Sequence, residues 1–123
     1  MNRLIIISIV IFIAGKAFAA DTSSSPLIQP KNGETLDDSK KHTMEYFGCI
    51  KGQAIKYAKT GETVDSISKA SVVSCESYIP KIAESNIYYL NSSPDGKRDF
   101  VERLKSDGER LAIKFAMDEK VKK

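Results

Sequence analysis

Chemistry-bearing side chains are scarce in this sequence of 123 residues, which has one histidine, His42, and two cysteines, Cys49 and Cys75. No Gly-x-Ser-x-Gly, His-Glu-x-x-His or other nucleophile signature accompanies the histidine. Early in a helical pattern, His42 therefore reads as a surface or seam-edge residue rather than a general base. The cysteines are too far apart for a Cys-x-x-Cys redox motif. Together with scattered carboxylates, these three residues make no zinc ligand set. No catalytic residue, metal site or cofactor is expected, and the chain does not read as an enzyme.

Long apolar runs are missing too, except at the start. Arg3 provides a positive n-region, Leu4 to Ile13 is apolar apart from Ser8, and Ala17-Phe18-Ala19 offers small residues where a signal peptidase inspects the chain. Residues 1–19 are thus expected to be a cleavable signal peptide, cut between Ala19 and Ala20. A membrane anchor is the competing reading, but Lys16 interrupts the run before it reaches the roughly 20 residues that span hydrocarbon. With no cysteine at the cut, the lipoprotein route is disfavoured. The expected address is outside the cytoplasm, with no stable membrane insertion after cleavage. In a Gram-negative bacterium that means the periplasm, and otherwise secretion.

Cleavage leaves 104 residues, enough for one domain. It also removes the apparent excess of positive charge. Two of the 19 basic residues, Arg3 and Lys16, leave with the signal while all 16 acids stay, so the formal charge falls from +3 to +1. A near-neutral chain has no counterion-release drive toward nucleic acid. Lys120, Lys122 and Lys123 read as a solvated helix end.

Residues 20–34 are rich in Ser, Pro, Gly and Lys, a composition that cannot repay the entropy of ordering, and they read as a flexible leader. Residues 35–123 carry amphipathic helical patterns, with no convincing strand and no internal repeat. The first helix is expected from Leu36 to Lys59, with Thr35 and Asp38 as a capping pair and Gly61 in the turn that follows. Its apolar side holds Tyr46, Phe47, Cys49, Ile50, Ala54, Tyr57 and Ala58. A second helix starts after Thr63 and carries Val64, Ile67, Ser71, Cys75, Tyr78 and Ile82 in steps of three and four. Pro80 should kink or break it, since proline lacks the amide and crowds the carbonyl of Glu76. The same proline disfavours helical angles at Ile79. Helical pattern resumes through Ile87 and Leu90 on a changed axis.

The third helix opens with Ser93 as N-cap and Pro94 at the first helical position. Phe100, Val101, Leu104, Leu111, Ala112 and Phe115 form its expected buried stripe. Asp99 with Arg103, and Asp118 with Lys122, are four-residue ion pairs. Gly108 lies within the stripe at a cost of roughly 1 kcal/mol of helix propensity, either admitting another helix or merely tolerated. Gly48 and Gly52 are read as local relief of helix crowding, because their spacing has a membrane meaning only in a long apolar run.

An even number of cysteines in an exported protein favours a disulfide, and the turn offers a check. Cys49 and Cys75 are each 13 residues from Glu62, at equal height in an antiparallel helical hairpin turning there. The same mirror register pairs Tyr46 with Tyr78, Gln53 with Ser71 and Tyr57 with Ile67. Small Ser71 and Gly52 nearby would ease the approach that a cross-link demands. The fold class expected is all-α: a small domain of three to four helices built on a disulfide-linked hairpin.

Among surface candidates, Asn91-Ser92-Ser93 fits a glycosylation acceptor pattern, although turn chemistry explains it equally. All five tyrosines fall on or beside the helical stripes, where core packing accounts for most of them. Tyr88 and Tyr89, after Pro80, are natural anchors for a protein partner if they are exposed. The layout is similar to that of many small periplasmic proteins of Gram-negative bacteria, immunity proteins that neutralise delivered toxins among them. No family motif maps onto these residues, so no site is carried over. The expectation is a protein-binding module such as an immunity or inhibitor protein. The alternative is a structural or stress-related envelope component without catalytic activity.

Overall fold

The structure, a computed structural model, describes residues 26–122. The expected signal peptide, its cleavage residues Ala19 and Ala20, and residues 20–25 of the leader lie outside the described residues. The described part is all-helical, with α1 at Leu36–Ala58, α2 at Val64–Ser74, α3 at Tyr78–Glu84, α4 at Ile87–Leu90 and α5 at Pro94–Lys120. Polar groups set the starts of the three long helices. Thr35 and Asp38 form a reciprocal capping box, with Thr35 N–H donating to Asp38 Oδ2 at 2.7 Å. Thr63 caps α2 by accepting from the Ser66 amide, and Ser93 caps α5 by accepting from the Gly96 amide. Gly61 takes the positive φ of 82° that the turn between α1 and α2 requires.

Helices α1 and α2 form the antiparallel hairpin, and the Cys49–Cys75 disulfide joins them with a Cα–Cα distance of 6.0 Å. A second contact crosses the same seam. The Tyr57 hydroxyl meets Ser74 Oγ at 3.0 Å.

Helix α5 packs against both arms of the hairpin. Gly108 lies against Tyr46 and Ile50, and further along both helices Lys51 sits over the Phe115 ring, so α5 runs in the direction of α1. The core rows step by four residues on each helix, with Tyr46, Ile50, Ala54 and Ala58 on α1 and Leu104, Gly108, Ala112 and Ala116 on α5. Ile67 and Val72 close the centre from α2, Cys75 from its C-cap, and Ile79 and Ile82 from α3. Each fully buried isoleucine contributes roughly 1.5–3 kcal/mol through water exclusion.

Several local expectations change. The second helix ends at Ser74 with Cys75 as its C-cap, five residues before Pro80. A fresh helix, α3, places Pro80 third in its first turn, where no amide is needed. Glu76 C=O, which Pro80 cannot serve, accepts from Ile79 N–H at 3.0 Å instead. Ile79 is helical and buried despite the proline after it. Of the expected stripe on α5, only Leu104 and Ala112 are buried, while Phe100, Val101, Leu111 and Phe115 flank the core half-buried. Three helices meet at the centre, so small residues take it and the bulky ones shield its edges.

The glycines also divide differently. A Cβ at Gly108 would lie 2.6 Å from Ile50 Cδ1 and 2.8 Å from Tyr46 Oη, so this glycine admits α1. Nothing lies within 4 Å of a Cβ at Gly48 or Gly52, so neither relieves crowding nor eases the disulfide. Ion pairs on α5 form at three-residue spacing, Asp95 with Arg98 and Glu119 with Lys122, rather than between Asp99 and Arg103 or Asp118 and Lys122. The leader's second half is placed against the domain: Ile28 is hydrogen-bonded to Asn91.

Candidate functional site

The most unusual surface lies where α4 meets the leader. Asn86 caps this four-residue helix, its Oδ1 accepting from the amides of Tyr88 at 2.9 Å and Tyr89 at 3.1 Å. At the other end Asn91 Nδ2 donates to Ile87 C=O at 2.8 Å, and Ser92 Oγ donates to Tyr88 C=O at 2.6 Å. A helix too short to hold itself by propensity is thus pinned at both ends by side chains.

That pinning sends the two tyrosines to different environments. Tyr89 is half-buried, its ring 5.2 Å from that of Phe100 and beneath the Lys97 ammonium at 5.6 Å. Tyr88 points outward and is 70% exposed. Beside it lies Leu27, 62% exposed, and the next residue, Ile28, is 57% exposed with its main chain bonded to Asn91. Leu27, Ile87, Tyr88 and Asn91 line a notch of about 250 Å³. Leu27 and Ile28 were hidden from sequence reading inside a polar leader. The signal was two adjacent apolar residues between Pro26 and Pro30.

The remaining candidates fall elsewhere. His42 lies between Glu45, 3.2 Å away, and Glu34, 3.7 Å away. Among the described residues no hydroxyl or thiol is hydrogen-bonded to it. Tyr46 is fully buried, and burial pushes its phenol up to about 12, with the carboxylates of Glu76, Glu109 and Asp107 adding to the effect. A shallow groove of about 370 Å³ between α1 and α5 is lined by Phe47, Leu111, Lys114, Arg110 and Asp107. Among the described residues no group of three or more His, Cys, Asp or Glu could hold a metal ion, and no helix is long and apolar enough to cross a membrane. What the α4 surface offers chemically is apolar contact and main-chain recognition by Asn91. No protein-family model, no curated protein and no solved structure matches the chain.

Proposed function

We propose that the chain is exported, loses residues 1–19, and acts outside the cytoplasm as a protein-binding module of the immunity or inhibitor kind, without catalysing a reaction. The observation that carries this reading is Tyr88, 70% exposed on the rim of an apolar notch that it shares with Ile87 and Asn91. Tyrosine supplies a large amphipathic contact with few torsions to immobilise, which is why it anchors protein interfaces. Pinning of α4 by Asn86, Asn91 and Ser92 lowers the ordering cost further. The Cys49–Cys75 bond supports export, because disulfides persist in oxidising compartments.

The test uses residues 20–123 as bait in an envelope extract, alongside Tyr88→Ala and Tyr89→Ala. A stoichiometric partner should be retained by the wild-type chain and lost by Tyr88→Ala, whose far-ultraviolet spectrum stays native. Tyr89→Ala should instead lower the melting temperature, since it removes the packing against Phe100. If the wild-type chain retains no stoichiometric partner, the reading fails in favour of a structural envelope role.

A further inference from the structure

We propose that the notch bounded by Ile87, Tyr88 and Asn91 is a binding site for an extended peptide carrying an apolar side chain, flanked in cis by Leu27 of the leader, which the main-chain bonds of Ile28 to Asn91 hold there as a displaceable strap. Ile28 N–H donates to Asn91 Oδ1 at 2.8 Å, and Asn91 Nδ2 donates back to Ile28 C=O at 2.9 Å. One carboxamide thereby engages both main-chain groups of one residue, as a neighbouring strand would. Such a clasp reads extended backbone and leaves the side-chain sequence to the apolar notch. The carboxamide's orientation is fixed by its partners. Only nitrogen can donate to the carbonyls of Ile28 and Ile87, and only oxygen can accept from the Ile28 amide.

Two features make the leader a strap rather than part of the core. None of residues 26–30 is buried, so its release withdraws no buried side chain from the core. Pro26 and Pro30 bracket the segment, and Pro30 sits at φ −60° and ψ 148°. The chain is therefore pre-extended and pays little entropy to enter the clasp. A third feature points to another occupant. Leu27 satisfies the notch poorly, for about 250 Å³ stays open beside it and Tyr88 remains largely uncovered. A segment with a bulkier apolar side chain would keep the Asn91 bonds and fill that space. The site itself does not depend on the proposed function; only the identification of its natural occupant as a segment of the partner protein rests on that reading.

Because the tether gives the strap a high effective concentration, the test first releases it. Ile28→Pro in residues 20–123 removes the amide that Asn91 accepts from while remaining compatible with extended backbone. A fluorescent synthetic peptide of residues 20–32 is the probe, followed by anisotropy. It should bind Ile28→Pro saturably, and roughly tenfold or more weakly to both the wild-type chain and Ile28→Pro combined with Asn91→Ala. Asn91→Asp, which keeps the acceptor and loses both donors, should fall between. Amide exchange of Ile28 in the wild-type chain should be slowed, and Asn91→Ala should abolish the protection. Equal binding to all three chains, or no saturable binding to Ile28→Pro with its helical spectrum intact, overturns the proposal. Loss of peptide binding alongside retained capture of a protein partner would sink this site and leave the proposed function standing.

Discussion

Replacing each of three helical glycines by alanine should change stability with opposite signs. Gly48, Gly52 and Gly108 all lie inside long helices, and alanine is favoured over glycine there by roughly 0.8–1.0 kcal/mol. At Gly48 and Gly52 the new methyl meets nothing within 4 Å, so the full propensity gain should appear. The two changes together should stabilise by about 1.5–2 kcal/mol. At Gly108 the methyl would sit 2.6 Å from Ile50 Cδ1 and 2.8 Å from Tyr46 Oη. Both neighbours are fully buried, so neither can swing into solvent to make room. Overpacking a core typically costs about 1–3 kcal/mol. Set against the propensity gain, Gly108→Ala should destabilise by up to about 2 kcal/mol. In a domain this size each kcal/mol moves the melting temperature by about 4–8 °C. Thermal and urea unfolding followed at 222 nm would therefore separate the variants readily. A Gly108→Ala variant as stable as Gly48→Ala would refute the close approach of α5 to α1.

Two further outcomes follow from the core and the cross-link. The Tyr46 phenol holds its proton up to about 12 in the folded chain, against 10.0 ordinarily, so the folded state binds more protons than the unfolded state between those values. Stability from this group is full below pH 10 and declines as pH rises toward 12, by an order of 2–3 kcal/mol. Tyr46→Phe should flatten that part of the decline in urea melts at pH 9–12, and an unchanged pH profile would count against burial of the phenol. Joint replacement of Cys49 and Cys75 by alanine should cost roughly 3–4 kcal/mol by the loop-entropy estimate, read from the urea midpoint. A loss below about 1 kcal/mol would mean that the two helices hold their register without the bond.

The helical hairpin was legible because independent signals agreed. Capping chemistry at Thr35, Thr63 and Ser93, helical periodicity, and the symmetry of Cys49 and Cys75 about Glu62 all demanded the same architecture. What periodicity could not rank was size within a stripe. It favoured Phe100, Leu111 and Phe115, whereas the meeting of three helices needed Gly108, Ala112 and Ala116 at the centre. Pro80 was correctly a disturbance, but its effect fell upstream because a helix accommodates proline in its first turn. The candidate site was half legible. Tyr88 and Tyr89 were named together, and adjacent residues on a helix face different ways, so only one stays exposed. Asn91 and Ile28 are 63 residues apart, and a carboxamide clasping a backbone has no sequence pattern.

The most direct test of the protein-binding reading is calorimetric titration of the partner captured by residues 20–123. Tyr88→Ala would be compared with Val73→Ala, a change at another exposed apolar residue, far from α4 in the chain. Removal of an interface anchor costs at least about 2 kcal/mol, so Tyr88→Ala should weaken binding roughly thirtyfold while Val73→Ala leaves it unchanged. Wild-type affinity in Tyr88→Ala would contradict the account, since the partner would then be meeting some other face of the molecule.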